Sequence, residues 1–242
     1  MKTHKALLTL IAFSSLTAFV FNTTNNNSGK LKTVHNYLSN KDRTYIYLPD
    51  GRLSSTEDTY FERISYDYAG DSIVYWHWFN NNRQWVTDTL ILNEKGLIET
   101  SISGDKVTKY KYNNINYCTA YDTYKRDKLL SSAKMKIENS NEVERIYTRY
   151  GKTKKDKPEV YRHYYQYSLA QTNNLTHQNT GIPFWGAISK NVLTRFIALN
   201  EKGDTIKNET YTYQFDTLGR MLQMSHHFTN GQISDSVGYT YY

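Results

Sequence analysis

The chain has 242 residues, of which 38% are hydrophobic and 22% charged, and its formal net charge is +7. This composition excludes a polytopic helical membrane protein, and an aromatic content of 15%, with 23 tyrosines, excludes a chain that is simply disordered. A positive balance this modest predicts no nucleic-acid partner.

The first predicted element is a secretory leader. Lys2 and Lys5 precede an apolar run from Ala6 to about Phe21, and a polar stretch begins at Asn22. The run is shorter than the roughly 20 apolar residues of a transmembrane helix, which favours a signal peptide. We expect a signal peptide at 1–18 followed by a polar tether at 19–41. An uncleaved N-terminal anchor is the alternative.

The single cysteine limits the classes of exported protein. Cys118 has no second cysteine with which to form an intramolecular disulfide, and no cysteine follows the leader to carry a lipid. The mature chain is therefore predicted to be periplasmic or extracellular in a bacterium, without an integral membrane span once the leader is removed.

Residues 42–242 are predicted to form a single β-rich domain. Ala133, Met135 and Ile137 alternate with charged residues, a period of two that is typical of half-buried antiparallel strands. Asp50-Gly51 and Asn230-Gly231 are among the turn pairs that tolerate positive φ. The prediction is an all-β fold of antiparallel β-hairpin repeats, in a curved or barrel-like sheet or in a two-sheet sandwich.

Internal repeats support the hairpin interpretation. Leu92-Asn-Glu-Lys-Gly96 recurs unchanged at 199–203. Six pairs of tyrosines are separated by one residue: Tyr45/Tyr47, Tyr66/Tyr68, Tyr110/Tyr112, Tyr165/Tyr167, Tyr211/Tyr213 and Tyr239/Tyr241.

One segment carries a family resemblance. Tyr211-Thr-Tyr213-Gln-Phe215-Asp216-Thr-Leu-Gly219-Arg220, with the later Asn230-Gly231 and Tyr239-Thr-Tyr241, resembles a YD repeat of the Rhs type, although Phe215 replaces the family's tyrosine. The likeness covers about 30 residues well and implies antiparallel hairpins. It also suggests a secreted protein of Gram-negative bacteria. The copies are too few for the toxin-enclosing shell of the large Rhs proteins, so that function is not carried over.

A loop insertion near 169–191 interrupts the repeats. It begins polar and leads into Ile182-Pro183-Phe184-Trp185. A long loop in a compact domain is functional or poorly ordered, and we expect this one to fold back and plug one end of the sheet.

Motif searches predict no catalytic residue, no metal site and no cofactor. Gly70-Asp71-Ser72-Ile73 resembles the nucleophile block of a GDSL esterase, but no aspartate has a histidine three residues later to complete the chemistry. His226 and His227 are adjacent, so a strand directs them to opposite faces and one metal ion does not easily bind both.

The candidate ligand site is aromatic. Alternation over Ile73–Phe79 places Tyr75, His77 and Phe79 on one face and Val74, Trp76 and Trp78 on the other. All four tryptophans fall within residues 73–85 or in the loop segment near 182–186. The predicted ligand-binding residues are Trp76, Trp78, Trp85, Phe184 and Trp185; a strand covered on both sides is the structural alternative.

The functional expectation is a secreted, non-catalytic binding or structural module of the cell envelope. Its partner is expected to be a glycan, a small apolar ligand or an envelope protein. The alternatives are a hydrolase acting on cell-surface polymer and a small outer-membrane β-barrel, whose lipid-facing strands need an unbroken apolar alternate face.

Overall fold

The computed structural model describes residues 30–37, 39–58, 62–80, 83–151, 156–173, 183–228 and 233–241. The predicted leader and the Asn230-Gly231 turn lie outside the described residues. Within these ranges, no helix is long and apolar enough to cross a membrane.

The described ranges form sixteen β-strands and one short 3-10 turn, Pro183–Trp185, between the twelfth and thirteenth strands. The strands are β1 (Leu31–Asn36), β2 (Lys41–Tyr47), β3 (Leu53–Asp58), β4 (Glu62–Ala69), β5 (Ile73–Asn80), β6 (Arg83–Leu92), β7 (Ile98–Ser103), β8 (Lys106–Tyr112), β9 (Cys118–Lys125), β10 (Lys128–Glu138), β11 (Asn141–Arg149), β12 (Glu159–Thr172), β13 (Asn191–Leu199), β14 (Thr205–Phe215), β15 (Met221–Phe228) and β16 (Ile233–Tyr241).

The sheet is a closed antiparallel barrel. Each strand pairs with its neighbours in sequence, and β16 pairs with β1 from Leu31 opposite Tyr241 to Asn36 opposite Val237. Closure gives each described strand two hydrogen-bonded neighbours, which removes the free edge of an open sheet that would otherwise recruit another chain. The predicted all-β, barrel-like sheet is confirmed, and the two-sheet sandwich is not formed.

The barrel begins earlier in the chain than predicted. The polar tether was expected to reach residue 41, whereas Leu31–Asn36 form β1 and close the barrel. Leu31 and Val34 both contribute to a buried cluster, but the pairing register shifts between Leu31 and Thr33. That irregularity interrupts the alternation of inward and outward residues, which is the pattern that predicts strands such as β10 from the sequence.

A five-residue turn recurs between the strands. Asn93, Asn113, Asn200 and Asp216 each accept, on the side-chain Oδ1, hydrogen bonds from the main-chain N–H groups two and four residues later. The fourth residue of each turn has positive φ: Gly96, Asn116, Gly203 and Gly219. Both copies of Leu-Asn-Glu-Lys-Gly therefore fold as the same hairpin turn.

The alternation of strand direction gives the barrel two distinct ends. Turns that follow even-numbered strands lie at the end where Leu31 meets Tyr241, which we call the terminal end. Turns that follow odd-numbered strands lie at the other end, which we call the distal end. The loop between β12 and β13 therefore belongs to the terminal end.

The apolar residues face the inside of the barrel in two buried clusters. The first contains Leu31, Val192, Met221, Met224, Val237 and Tyr239. The second contains Leu53, Val74, Leu90, Ile98 and Phe184. Register and alternation place both rings of every Tyr-x-Tyr pair on this inner side, where many of them pack against the clusters.

The loop before β13 enters the terminal end. Phe184 is only 2% exposed and belongs to the second cluster. Beyond it, the N–H of Ala187 donates to the carbonyl of Asn116 and that of Lys190 to the carbonyl of Ser140, each at 2.7 Å. Leu169–Thr172 of the predicted insertion belong to β12, and residues 183–190 fold back onto one end of the barrel. Residues 174–182 lie outside the described ranges.

Candidate functional site

The tryptophans of β5 lie on the inner side of the barrel. Trp76 is opposite Tyr66 and Trp78 is opposite Ile64 in the register of β4 and β5. Trp76 packs against the second buried cluster, of which Phe184 is a member. The strand and the loop therefore meet inside the barrel, in the region predicted from the sequence.

The remaining aromatic candidates differ in exposure. Trp185 is 40% exposed at the terminal end, and its ring lies edge-on to that of Tyr110 at 6.4 Å. Phe184 is part of the core, so its ring offers little surface to a ligand. The side chain of Trp85 lies outside the described residues. Ligand binding by this tryptophan group stays a prediction.

The inner wall also carries charged groups. Arg145 donates through Nε and Nη2 to the two carboxylate oxygens of Glu142, at 2.7 and 2.9 Å. The Arg145 guanidinium lies 6.0 Å from the ring centre of Tyr165, and His163 is opposite Arg145 in register. Burial, followed by the charge of Arg145, lowers the pKa of His163 to about 4. The interior is therefore not uniformly apolar.

A second interior group surrounds Glu209. Its carboxylate lies 2.8 Å from Lys207 Nζ and 3.3 Å from His226 Nε2, and it accepts a 3.1 Å hydrogen bond from the hydroxyl of Tyr211. Burial alone would raise the pKa of Glu209, but the bonds from His226 and Lys207 outweigh it and lower that pKa to about 2. Glu209 is therefore ionised across the physiological range.

Adjacent His226 and His227 face opposite sides of β15, as predicted. His226 stacks inside on the Tyr211 ring at 5.1 Å, whereas His227 Nε2 lies 3.0 Å from Thr212 Oγ1 on the outer wall. Among the described residues, no group of three or more His, Cys, Asp or Glu side chains is placed to hold a metal ion. Burial raises the pKa of the Cys118 thiol to about 11, which disfavours a reactive thiolate.

The outer wall of the barrel carries both polar and apolar side chains, and the apolar ones include Ile46, Tyr75, Phe79 and Tyr124. Its exposed polar positions include Lys109 and Lys111 on β8, Lys134 and Lys136 on β10, and Thr210, Thr212 and Gln214 on β14. The hydroxyl, amide and ammonium groups at these positions are suited to contact with water.

A groove of about 330 Å³ crosses β3, β4 and β5 on this outer wall. Its lining residues are Ser54, Ser55, Arg63, Ser65, Tyr66, Asp67, His77 and Phe79. The side chains of Ser55, Ser65 and His77 lie side by side because these residues pair across the three strands. Small serines between larger neighbours leave the depression.

Two pairs of side chains hold the groove in shape. His77 Nε2 lies 3.0 Å from Asp67 Oδ2, and His77 Nδ1 lies 3.0 Å from Thr87 Oγ1. The Arg63 guanidinium lies 4.6 Å from the centre of the Phe79 ring. An aligned hydroxyl, imidazole and carboxylate resemble a hydrolase relay, but strand pairing already occupies the surrounding main-chain N–H groups that would stabilise an oxyanion.

Sequence reasoning missed Arg145, Glu209 and this groove. Alternation did place Tyr75, His77 and Phe79 on one face of β5, but it did not show that Asp67 and Thr87 flank His77. That information lies in the register between strands, where Ser65 and Thr87 are the two partners of His77.

Comparison with known proteins finds similarity of fold. No protein-family model matches the chain, and no curated protein matches it in sequence. A porin-like protein from Bacteroides uniformis ATCC 8492 matches with a TM-score of 0.57 and 15% identity, over 90% of this chain and 100% of that chain. A porin-like protein from Bacteroides vulgatus ATCC 8482 matches with a TM-score of 0.54 and 11% identity, over 88% and 99%. At such identities the likeness concerns the fold.

Proposed function

We propose that this chain is a porin-like β-barrel of the bacterial cell envelope whose wall faces water, and that it acts there as a non-catalytic binding or structural module. The observation that carries the proposal is the chemistry of the outer wall. Lys109 projects outward from the middle of β8, and Lys111, Lys134 and Lys136 project outward further towards the terminal end, whereas a lipid-facing barrel has an apolar band on its outer wall. A lysine or arginine at the bilayer midplane costs about 2–4 kcal/mol, so several of them oppose insertion.

The inner wall supports the same proposal. Buried clusters and tyrosine rings occupy the positions that a porin gives to a water-filled channel. Apolar inside and polar outside is the arrangement by which a water-exposed sheet gains hydrophobic stabilisation. The fold resembles that of porin-like proteins, and the buried apolar clusters inside it favour a barrel whose outer wall contacts water.

The envelope location rests on two further observations. The leader-like segment at 1–18 has the composition of a signal peptide, and both matched structures are described as porin-like proteins of Bacteroides. Export and a porin-like fold together favour the cell envelope, and the outward lysines favour a water-facing place within it.

A small outer-membrane barrel is the second candidate. It is favoured by the porin-like neighbours and by an even number of antiparallel strands in a closed sheet. It requires lipid against the outer wall, and this requirement separates it from the first candidate.

Lysine labelling tests the proposal. The full chain, expressed with its own leader, is treated in intact envelopes with a water-soluble amine-reactive reagent, and labelled peptides are identified by mass spectrometry. We expect Lys109, Lys134 and Lys136 to react to the same extent as Lys95, which is exposed in the turn between β6 and β7. Extraction into the aqueous phase at high pH is the second expected result. Labelling of Lys95 alone, with solubility only in detergent, would establish the outer-membrane candidate instead.

A further inference from the structure

The outer groove across β3, β4 and β5 has a composition that differs from the rest of the wall. Tyr75, His77 and Phe79 form a continuous aromatic row along β5, with ring centres 6.5 Å and 6.3 Å apart. This is a row of partly exposed rings on the side that faces water. Clustered aromatic side chains on a wet surface mark binding sites more often than packing.

The row is held in a fixed orientation before any ligand arrives. His77 is bound on both ring nitrogens, to Asp67 and Thr87, and lies between two aromatic neighbours. Arg63 covers one face of Phe79. Fixed side chains lose little conformational entropy on binding, which favours recognition of a ligand by this surface.

The polar groups of the groove are arranged around that row. Ser55 and Ser65 form its floor, while Asp67 and Arg63 stand at its sides with side chains 74% and 47% exposed. Hydroxyl, carboxylate and guanidinium groups supply both hydrogen-bond donors and acceptors. Exposed Asp67 and Arg63 remain accessible to a ligand because each keeps part of its surface in water.

The charge and polarity of the groove narrow the class of ligand. An apolar molecule would cover the serine hydroxyls and the Asp67 carboxylate without replacing their hydrogen bonds to water, which is costly. An anion would meet Arg63, but Asp67 and Glu57, the latter 4.0 Å from Arg63, balance its charge. A neutral molecule that has apolar faces and many hydroxyl groups would contact the aromatic row with the former and hydrogen-bond to the polar groups of the groove with the latter.

We propose that this groove binds a neutral saccharide unit, which packs against the Phe79–His77 row and hydrogen-bonds to Asp67, Arg63 and the serines. The volume of about 330 Å³ lies at the lower end of the roughly 300–1,000 Å³ found for small-ligand sites. The proposal rests on the proposed function in one respect, since the groove is open to a glycan only if the wall faces water.

Titration with defined sugars tests whether the groove binds a saccharide. The folded full-length protein is titrated with chitotetraose, cellotetraose and maltotetraose by calorimetry, and binding is mapped by chemical-shift changes. We expect at least one of these sugars to bind and to shift the resonances of His77 and Phe79. Phe79→Ala and Asp67→Ala should each weaken binding about tenfold or more, the equivalent of ~1.4 kcal/mol.

Tyr124→Ala is the matched control, because Tyr124 is a partly exposed aromatic residue on the outward side of β9, away from the groove. It should leave affinity unchanged, and thermal melts establish that each variant is folded. Absence of binding by all three sugars overturns the proposal, as does an equal loss of affinity in Tyr124→Ala. An oligogalacturonate is titrated alongside as an anionic sugar, and tighter binding of it than of the neutral sugars also overturns the proposal. If the lysines prove accessible to water while no sugar binds, the saccharide site fails and the water-facing barrel stands.

Discussion

Tyr68 donates the hydrogen of its phenol to the main-chain carbonyl of Leu53 at 2.9 Å, across the hairpin of β3 and β4. The same bond recurs around the barrel, from the second tyrosine of a Tyr-x-Tyr pair to a residue near the start of the preceding strand. The further examples are Tyr47 to Leu31, Tyr213 to Leu193 and Tyr241 to Met221. Tyr167 likewise donates to the carbonyl of Glu142 at 2.8 Å, so the repeated tyrosine spacing ties these five hairpins together near the terminal end.

A basic residue completes this arrangement. Arg52, which precedes Leu53, lies 4.2 Å from the ring centre of Tyr68. Lys30 is placed in the same way over Tyr47 at 4.8 Å, and Arg220 over Tyr241 at 5.1 Å. These contacts give a physical reason for a basic residue followed by a buried aliphatic residue after the turn. A shared origin with YD repeats stays a prediction.

Removing one such bond tests its contribution to stability. Tyr68→Phe keeps the ring under Arg52 but leaves the carbonyl of Leu53 without this donor. We expect the free energy of unfolding to fall by about 0.5–1.5 kcal/mol. Urea denaturation measures this free energy. Tyr124→Phe on the outer wall is the control and should change the free energy of unfolding by less than about 0.5 kcal/mol. Equal effects from the two variants would contradict a special role for the inward tyrosines.

Alternation along single strands was enough to assign faces. It correctly separated Trp76 and Trp78 from Tyr75, His77 and Phe79, and it correctly placed His226 and His227 on opposite sides. The reason is that these assignments depend only on the pleat of one strand.

Closure of the barrel was harder to predict because it is a long-range event. β1 joins β16 from the opposite end of the chain, and the bulge after Leu31 hides its alternation. Likewise, nothing in the local sequence shows that Glu209 lies near His226 or that Arg145 projects inward. Such neighbours are set by the register between strands, which short-range pattern does not contain.

The backbone geometry of Gly186, in the loop at the terminal end, predicts how a substitution there affects stability. Gly186 has φ of +86°, and a Cβ atom there would lie 2.5 Å from the carbonyl oxygen of Asn116 and 2.8 Å from the Tyr112 ring. Gly96 also has positive φ, at +72°, but no atom lies within 4 Å of its Cβ position. Gly186→Ala therefore adds a steric clash of the new Cβ with Asn116 and Tyr112 to the strain of positive φ, whereas Gly96→Ala introduces only the strain.

We expect Gly96→Ala to destabilise the protein by about 1 kcal/mol and Gly186→Ala by at least about 2 kcal/mol. Thermal unfolding of both variants measures the difference. Gly96→Asn should be milder than Gly96→Ala, because Asn116 occupies the same turn position with φ of +67°. Equal melting temperatures for the two alanine variants would contradict the close packing of the loop against Asn116.

The lowered pKa of Glu209 predicts how the free energy of unfolding changes with pH. Its folded pKa of about 2 is below the unfolded value of about 4.3, so its contribution is fully present above the unfolded value and is lost as pH falls towards 2. At pH 7, Glu209→Gln should lower the free energy of unfolding by about 1–3 kcal/mol, because Lys207 and His226 lose their partner. The deficit should shrink at pH 2.5. Glu57→Gln, at an exposed outer position, is the control, and the same pH dependence there would refute the assignment.

The carboxyl group of Asp88 is expected to affect the pH dependence of stability in the opposite direction to Glu209. It faces inward on β6, opposite Trp76 in register, and its Oδ1 is buried without a hydrogen-bond partner. Burial, only partly offset by a bond to Ser103, raises the pKa of Asp88. A carboxyl with a raised folded pKa favours the native state below its unfolded pKa of about 3.9, and this advantage is lost as pH rises through the folded value.

Replacing Asp88 with asparagine removes the charge and nearly preserves the shape. We expect Asp88→Asn to increase the free energy of unfolding at pH 7 by about 0.5–1.5 kcal/mol, because a buried, incompletely bonded carboxylate is costly. The gain should vanish near pH 3, where the native carboxyl is protonated. Urea denaturation at both pH values measures it, with Asp122→Asn on the outer wall as the control. A loss of stability at pH 7 would mean that the ionised carboxylate of Asp88 is held by a partner inside the barrel.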